Sequence, residues 1–326
     1  MFRTLSTAFT LAIALPMAAP ALAQAPATEA AAEESMPEIA VGDSLPAAFL
    51  VKPEGEGPFP SIIVLGGSEG GDRTARTFAR KFSAQGYAVL GLPYYSPAWG
   101  DNEPQFPELP RAFADIPVDK LKIAKDWLIK RDDVRGDSIG IYGVSKGAEM
   151  ALLAGSKIEG FAAIAAIVPS DVVWEGWGPG TVNGESSSFS WQGESLSFVP
   201  YGGLAEEFAN PTGPNGRVRM RLPHDLGRNA NPDRAVAAKI AVEAIDEPVL
   251  VAGGDADLVW NSGEMAQIIA ERRAEAGLET VSLVFTDAGH FLSGDGSRET
   301  GNPANGEAQK VIWPATLDFF AKHLKE

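Results

Sequence analysis

The chain of 326 residues contains no cysteine, which excludes a disulfide framework, a thiolate metal site and a cysteine nucleophile. Basic residues are few: 27 Lys and Arg stand against 43 Asp and Glu, for a net charge of -16. Nucleic acids and anionic membrane surfaces are bound through basic patches, so neither is expected as a partner. Histidine is scarcer still, at three residues. The sequence has no phosphate loop of the P-loop kind, no paired-carboxylate site and no His/Cys cluster at metal-ligand spacing. No cofactor and no metal are therefore expected. Beyond the N-terminus it lacks any further long apolar run, so no stable membrane insertion of the mature chain is expected.

What the N-terminus does have is the pattern of a processing signal. Arg3 is a short basic region, Leu5 to Ala19 an apolar core interrupted by Pro16, and Ala21-Leu22-Ala23 a small-x-small cleavage site. Residues 1–23 are expected to be a signal peptide, with an uncleaved anchor as the competing reading. The protein is then expected to be exported, to a periplasm or out of the cell. Residues 24–43 read as a disordered tether, rich in Ala, Glu and Pro, and residues 44–326 as the folded domain.

Within that domain, short β-branched runs alternate with amphipathic stretches. Ser61 to Leu65, Tyr87 to Leu92, Ser138 to Val144, Phe161 to Val168, Pro248 to Ala252 and Val281 to Phe285 read as buried strands. Asp72 to Gln85, Val118 to Lys130, Ala148 to Ala154, Gly263 to Ala276 and Gln309 to Leu324 read as helices. This order predicts an α/β fold, a mostly parallel sheet with helices on both faces. Its active sites would lie at the C-terminal strand ends. Residues 172–232 break the alternation and are rich in Gly, Pro, Ser and Trp. They read as a lid-like insertion, with a β-hairpin over Ser187 to Val199 turning at Gln192-Gly193.

The pattern G-x-S-x-G occurs three times, around Ser68, Ser138 and Ser145. A nucleophile elbow needs a strand before the serine and a helix directly after it. Ser138 opens a strand, at the wrong end of the sheet, and reads as part of a turn. Ser68 ends a strand but is followed by Gly70, Gly71 and Asp72, a flexible loop. Ser145 alone meets the requirement; the bland alternative is a serine that caps the following helix. A base and an orienting acid should then follow strand ends. His290 lies just after a strand, whereas His323 belongs on the exposed face of the last helix, and His224, within the insertion, either touches a substrate or is a plain surface loop residue. Asp257 is preferred as the acid over its neighbour Asp255 and over the more distant Asp171. The order Ser145, Asp257, His290 is that of an α/β-hydrolase. Backbone amides of Lys146, Gly67 and Ser68 would form the oxyanion hole. The Lys146 side chain would reach the pocket mouth or stand in solvent. Trp174, Trp191, Tyr201 and Trp260 are candidates to line the substrate pocket, against plain packing beneath the insertion.

The segments Gly66 to Gly71, Ile141 to Glu149, Ile167 to Ser170, Ser190 to Gly193, Gly254 to Trp260 and Ala288 to His290 resemble one family over about residues 45–325. It is the catalytic domain of the acyl-CoA thioesterase and bile acid-CoA:amino acid N-acyltransferase family, within the dienelactone-hydrolase-like α/β-hydrolases. The resemblance implies a Ser-Asp-His triad, carried onto Ser145, Asp257 and His290, that cleaves acyl thioesters or esters. Animal members carry a β-sandwich domain ahead of the catalytic one, whereas residues 1–43 here are expected to hold only a signal and a tether. The transferase branch has cysteine at the nucleophile, so Ser145 favours water as acceptor. The expected function is a serine hydrolase of small acyl esters or thioesters. An exported carboxylesterase or lactone hydrolase is the alternative, and a non-catalytic binding protein the reading from another class. The sequence leaves the oligomeric state open.

Overall fold

The computed structural model describes residues 37–98 and 103–326. The expected signal peptide and most of the expected tether lie outside the described residues. In chain order the strands are β1 (Ile39–Ala40), β2 (Phe49–Val51), β3 (Phe59–Leu65), β4 (Ala88–Gly91), β5 (Ile116–Pro117), β6 (Val134–Val144), β7 (Ala163–Ile167), β8 (Phe189–Trp191), β9 (Glu194–Ser195), β10 (Val249–Gly254) and β11 (Thr280–Phe285). The helices are α1 (Arg73–Ser83), α2 (Asp119–Ile129), α3 (Lys146–Gly155), α4 (Leu204–Ala209), α5 (Arg221–Ala230), α6 (Pro232–Ala237), α7 (Ser262–Glu275) and α8 (Pro303–Leu324).

Eight strands form one sheet in the order β1-β2-β4-β3-β6-β7-β10-β11. The pairs β1–β2 and β2–β4 are antiparallel, and every later pair is parallel. The central strands are apolar on both faces, and successive residues divide between two cores. Ile63 and Leu65 of β3 pack on the side of α2, α3 and α7. Ile62 and Val64 pack on the side of α1 and α8. There Phe82 of α1 meets Tyr142 edge-on at 5.2 Å and Trp313 of α8 at 5.1 Å. Burial of these side chains contributes roughly 1.5–3 kcal/mol each and fixes the sheet that carries the strand ends.

Two expectations need correction. Ser138 is not in a turn: β6 starts at Val134 and runs through it, with a register irregularity opposite Phe59/Ser61. A bulge of this kind lets a strand pass through a polar Gly-Asp-Ser segment without ending. The insertion is also more regular than its composition suggests. Its hairpin forms from β8 and β9, with Gln192 and Gly193 at φ of 52° and 83°, as a two-residue hairpin turn requires. It joins β5 in a small three-stranded sheet. The segment expected to be irregular also holds α4 and α5. Among the described residues no helix is long and apolar enough to cross a membrane.

Candidate active site

Ser145 sits on the turn between β6 and α3 at φ 56° and ψ -120°. A non-glycine residue rarely adopts this backbone, and such strain is held only where the surroundings dictate it. Here the crossing of strand and helix dictates it. A Cβ at Gly143 would lie 2.2 Å from the carbonyl oxygen of Gly147, and one at Gly147 would lie 2.3 Å from that of Gly66. Only glycine fits at either place. Ser145 holds the N-cap position of α3, yet its side chain makes no capping bond. Instead its Oγ lies 2.9 Å from His290 Nε2. The capping alternative therefore has no support in the geometry.

His290 follows β11, and its Nδ1 lies 2.8 Å from Asp257 Oδ2. Asp257, on the loop after β10, is 1% exposed. Its Oδ1 accepts from the amides of Val259 (2.7 Å) and Trp260 (3.3 Å), while Oδ2 also accepts from Ser262 Oγ at 2.6 Å. Four donors thus fix the carboxylate. With a carboxylate accepting at Nδ1, Nε2 is left free to take a proton from Ser145. Ser262, the first residue of α7, was not singled out from the sequence; its signal was a hydroxyl five residues after the acid at a helix start.

The rejected candidates have other partners. Asp255 is exposed, with its carboxylate beside Gly263. Asp171 is buried and takes a two-point ion pair from Arg228 at 2.6 and 2.7 Å. His323 is not on an open face: its ring packs 4.9 Å from Phe319 and lies 3.6 Å from Glu279.

The oxyanion donors need one revision. The Gly67 amide already donates to Glu69 Oε1 at 3.1 Å, so it is not available to a substrate oxygen. The amides of Ser68 and Lys146 donate no hydrogen bond among the described residues, and both residues border the same cavity as Ser145. The Lys146 side chain neither reaches the pocket mouth nor meets solvent. It is 1% exposed, with Nζ 2.6 Å from Glu149 Oε2 and 2.9 Å from Ser188 Oγ, under the rings of Phe113, Trp177 and Phe189. Burial lowers the Lys146 ammonium pKa and raises that of the Glu149 carboxyl, and each partner opposes the other's shift.

A cavity of about 250 Å³ opens beside Ser145. Tyr201, Trp260 and Trp177 line it, together with Phe208, Met220 and His224 from the insertion. Two of the four expected pocket residues are therefore elsewhere. Trp174 is fully buried beneath the site, its Nε1 donating to Ser170 Oγ at 2.8 Å. Trp191 lies in the hairpin with Lys157 over its ring at 5.9 Å. Larger depressions of 530 and 740 Å³ contain none of Ser145, Asp257 and His290.

His224 departs most from expectation. It lies in α5 and is 2% exposed, not on the surface. Its ring stands edge-on to Trp174 at 4.4 Å and Tyr201 at 4.9 Å. Burial holds its pKa down at about 3, with Lys146 and His290 adding to the effect and Met220 and Asp257 opposing it. In the unfolded chain the ring protonates near 6.5. Between these values the unfolded state binds the extra proton, so stability is full above about 6.5 and falls as the pH drops. Lowering the pH from 7 to 5 should cost about 2 kcal/mol through this residue. Urea titrations at both pH values should show that part of the loss missing in His224→Phe.

The sheet and strand-end site define an α/β-hydrolase-type protein. A putative dienelactone hydrolase from Klebsiella pneumoniae has the same fold, with TM-score 0.52 and 17% identity over 84% of this chain and 92% of that one. The family model for the BAAT / acyl-CoA thioester hydrolase C terminal matches residues 121–294, more than half of the chain. The chain belongs to that family. Acyl-coenzyme A thioesterase 6 of Mus musculus is 26% identical over 294 residues, 85% of this chain and 63% of the relative. The peroxisomal succinyl-coenzyme A thioesterase of Mus musculus is 25% identical, with coverage of 85% and 63%. Human acyl-coenzyme A thioesterase 2, mitochondrial, is 24% identical over 84% of this chain and 54% of its own length. The chain thus spans less than two thirds of these relatives. They also correct the expectation of export: the two whose names give a compartment are peroxisomal and mitochondrial, neither of them exported.

Proposed function

We propose that the protein is a serine hydrolase of small acyl thioesters, with Ser145, His290 and Asp257 as its catalytic residues. The observation that carries the reading is the continuous chain from Ser145 Oγ to His290 Nε2 (2.9 Å) and from His290 Nδ1 to Asp257 (2.8 Å). In the first step Ser145 Oγ attacks the acyl carbonyl as its proton passes to His290 Nε2. The Ser68 and Lys146 amides meet the oxyanion. Collapse breaks the bond to the thiol, which takes the proton from His290. Water then attacks the acyl-serine, gives its proton to His290, and the acid leaves as Ser145 regains a proton. Residues 44–326 act as one hydrolase domain in this reading, with residues 172–232 as a cap over the acyl pocket.

The alternative of an exported carboxylesterase or lactone hydrolase loses its premise with the export expectation. The relatives' names favour a CoA thioester over an oxygen ester. At roughly 30 Å³ per small group, a 250 Å³ cavity holds an acyl group of about eight non-hydrogen atoms. A series of acyl-CoA thioesters from two to sixteen carbons tests both points. The expected optimum is at eight carbons or fewer, with kcat/KM at least about tenfold above that of the matching aryl ester. An aryl ester turned over faster than every thioester would reverse the assignment.

A further inference from the structure

A thioester has two halves, and the 250 Å³ cavity beside Ser145 accounts only for the acyl half. The thiol half must face His290, from which it takes its proton. Directly after that histidine stands Phe291, 65% exposed, with its ring edge-on to the imidazole at 6.2 Å. Phe291 does not line the acyl cavity. It lines a separate groove of about 530 Å³ between α1 and residues 291–300.

The opposite wall of the groove also adjoins the catalytic serine. Thr74 lines it, and Thr74 Oγ1 donates to Glu69 Oε1 at 2.5 Å. The same oxygen accepts from the Gly67 amide, and a Cβ at Gly67 would lie 3.1 Å from the Cβ of Ser145. In charge the groove runs against the rest of the molecule. Arg73, Lys81 and Arg298 line it against two carboxylates, Asp295 and Glu299, and Asp295 is occupied by an ion pair with Lys81. Arg73 and Arg298 are exposed and form no ion pair among the described residues. The first turn of α1 holds no acidic residue to neutralise Arg73. On a chain of net charge -16, such a cationic excess marks a place for an anion.

We infer that this groove receives the phosphate-bearing end of the leaving thiol, with the Arg73 and Arg298 guanidiniums on the phosphates and the linking arm passing Phe291. The inference rests on the hydrolase reading above and assigns the half of a CoA thioester left outside the acyl cavity. The pantetheine arm carries the phosphates well beyond the reacting carbonyl. Their site must therefore adjoin the triad without containing it, as this groove does. A guanidinium presents paired N–H donors that match phosphate oxygens, and here no carboxylate holds either one back. The depression of 740 Å³ fits less well: Glu38, Asp43 and Glu108 line it, and its Arg76 is already paired with Glu38 and Asp72.

The test compares hexanoyl-CoA with the N-acetylcysteamine thioester of hexanoate, which has the same reacting bond and the start of the same arm but no phosphate. In the wild-type protein kcat/KM for the CoA thioester is expected to exceed that for the truncated one by about a hundredfold, at roughly tenfold per arginine–phosphate contact. This ratio should fall by about tenfold in Arg73→Gln and in Arg298→Gln, through KM rather than kcat. Its decline with added salt should be less steep in both. Lys122→Gln removes the same charge from α2, on the opposite face of the sheet, and should leave the ratio as it is. Thermal unfolding checks that each variant is folded. A wild-type ratio near one, a high ratio that survives both arginine substitutions, or an equal fall in Lys122→Gln overturns the inference. Where the truncated thioester is cleaved, each of these failures leaves the hydrolase reading standing. If neither thioester is cleaved, that reading fails and the inference falls with it.

Discussion

Ser145→Ala is expected to lower kcat by about a million-fold, because the nucleophile, base and acid act as one unit and loss of the nucleophile removes the covalent route altogether. The residual rate would come from the amides of Ser68 and Lys146 and from binding alone. KM should change little, since the hydroxyl contributes more to the transition state than to the bound substrate. The serine's backbone is strained at φ 56°, and alanine is no better suited to it, so the fold should tolerate the change without gaining stability. Steady-state hydrolysis of a short acyl-CoA thioester measures the effect. A loss of only a few-fold would mean that Ser145 is not the nucleophile.

The second large effect concerns stability. Glu149 is fully buried and divides its carboxylate between Lys146 Nζ (2.6 Å) and the Trp174 amide (3.2 Å). Glu149→Ala would strand the Lys146 ammonium among Phe113, Trp177 and Phe189 with only Ser188 Oγ beside it. Breaking a buried pair from one side costs about 3–5 kcal/mol, which in a domain of this size lowers the melting temperature by roughly 10 °C. Replacing both partners with apolar residues of similar volume, as in Lys146→Met/Glu149→Leu, should restore much of the loss. Because the Lys146 amide belongs to the backbone, the double variant keeps that oxyanion donor. Thermal unfolding followed by circular dichroism gives both numbers. A single variant as stable as the wild type would mean that Lys146 escapes to solvent when its partner is removed.

The grouping of Ser145, Asp257 and His290, which the structure brings within hydrogen-bond distance, was legible because each follows a short buried strand, where β-branched runs and glycines mark the strand ends. The elbow was legible because Gly143 and Gly147 flank Ser145 where strand and helix cross. What lay hidden depends on contacts between distant segments. A lysine after the elbow serine reads as reaching the pocket mouth or standing in solvent; its burial requires Ser188, 42 residues away on the insertion. Leu222-Pro-His-Asp225 with Gly227 reads as a loop, since proline and glycine break helices. In α5, however, Pro223 falls in the first turn, where a missing N–H costs nothing. That reading left His224 open between substrate contact and a surface loop, and did not reveal its burial. Likewise Gly67 looked free to bind an oxyanion because nothing in a glycine-rich loop announces that Glu69 folds back onto its amide. The division of Trp174 and Trp191 from Tyr201 and Trp260 followed the path of the insertion, which composition alone does not fix.

The central claim is an activated serine at position 145. Its most direct test is treatment of the wild-type protein and His290→Ala with a fluorophosphonate, with the adduct mapped by mass spectrometry. The account predicts one modified residue, Ser145, and at least about a hundredfold slower labelling once the base is gone. A modified Ser68, an unmodified protein, or labelling unaffected by loss of His290 would contradict it.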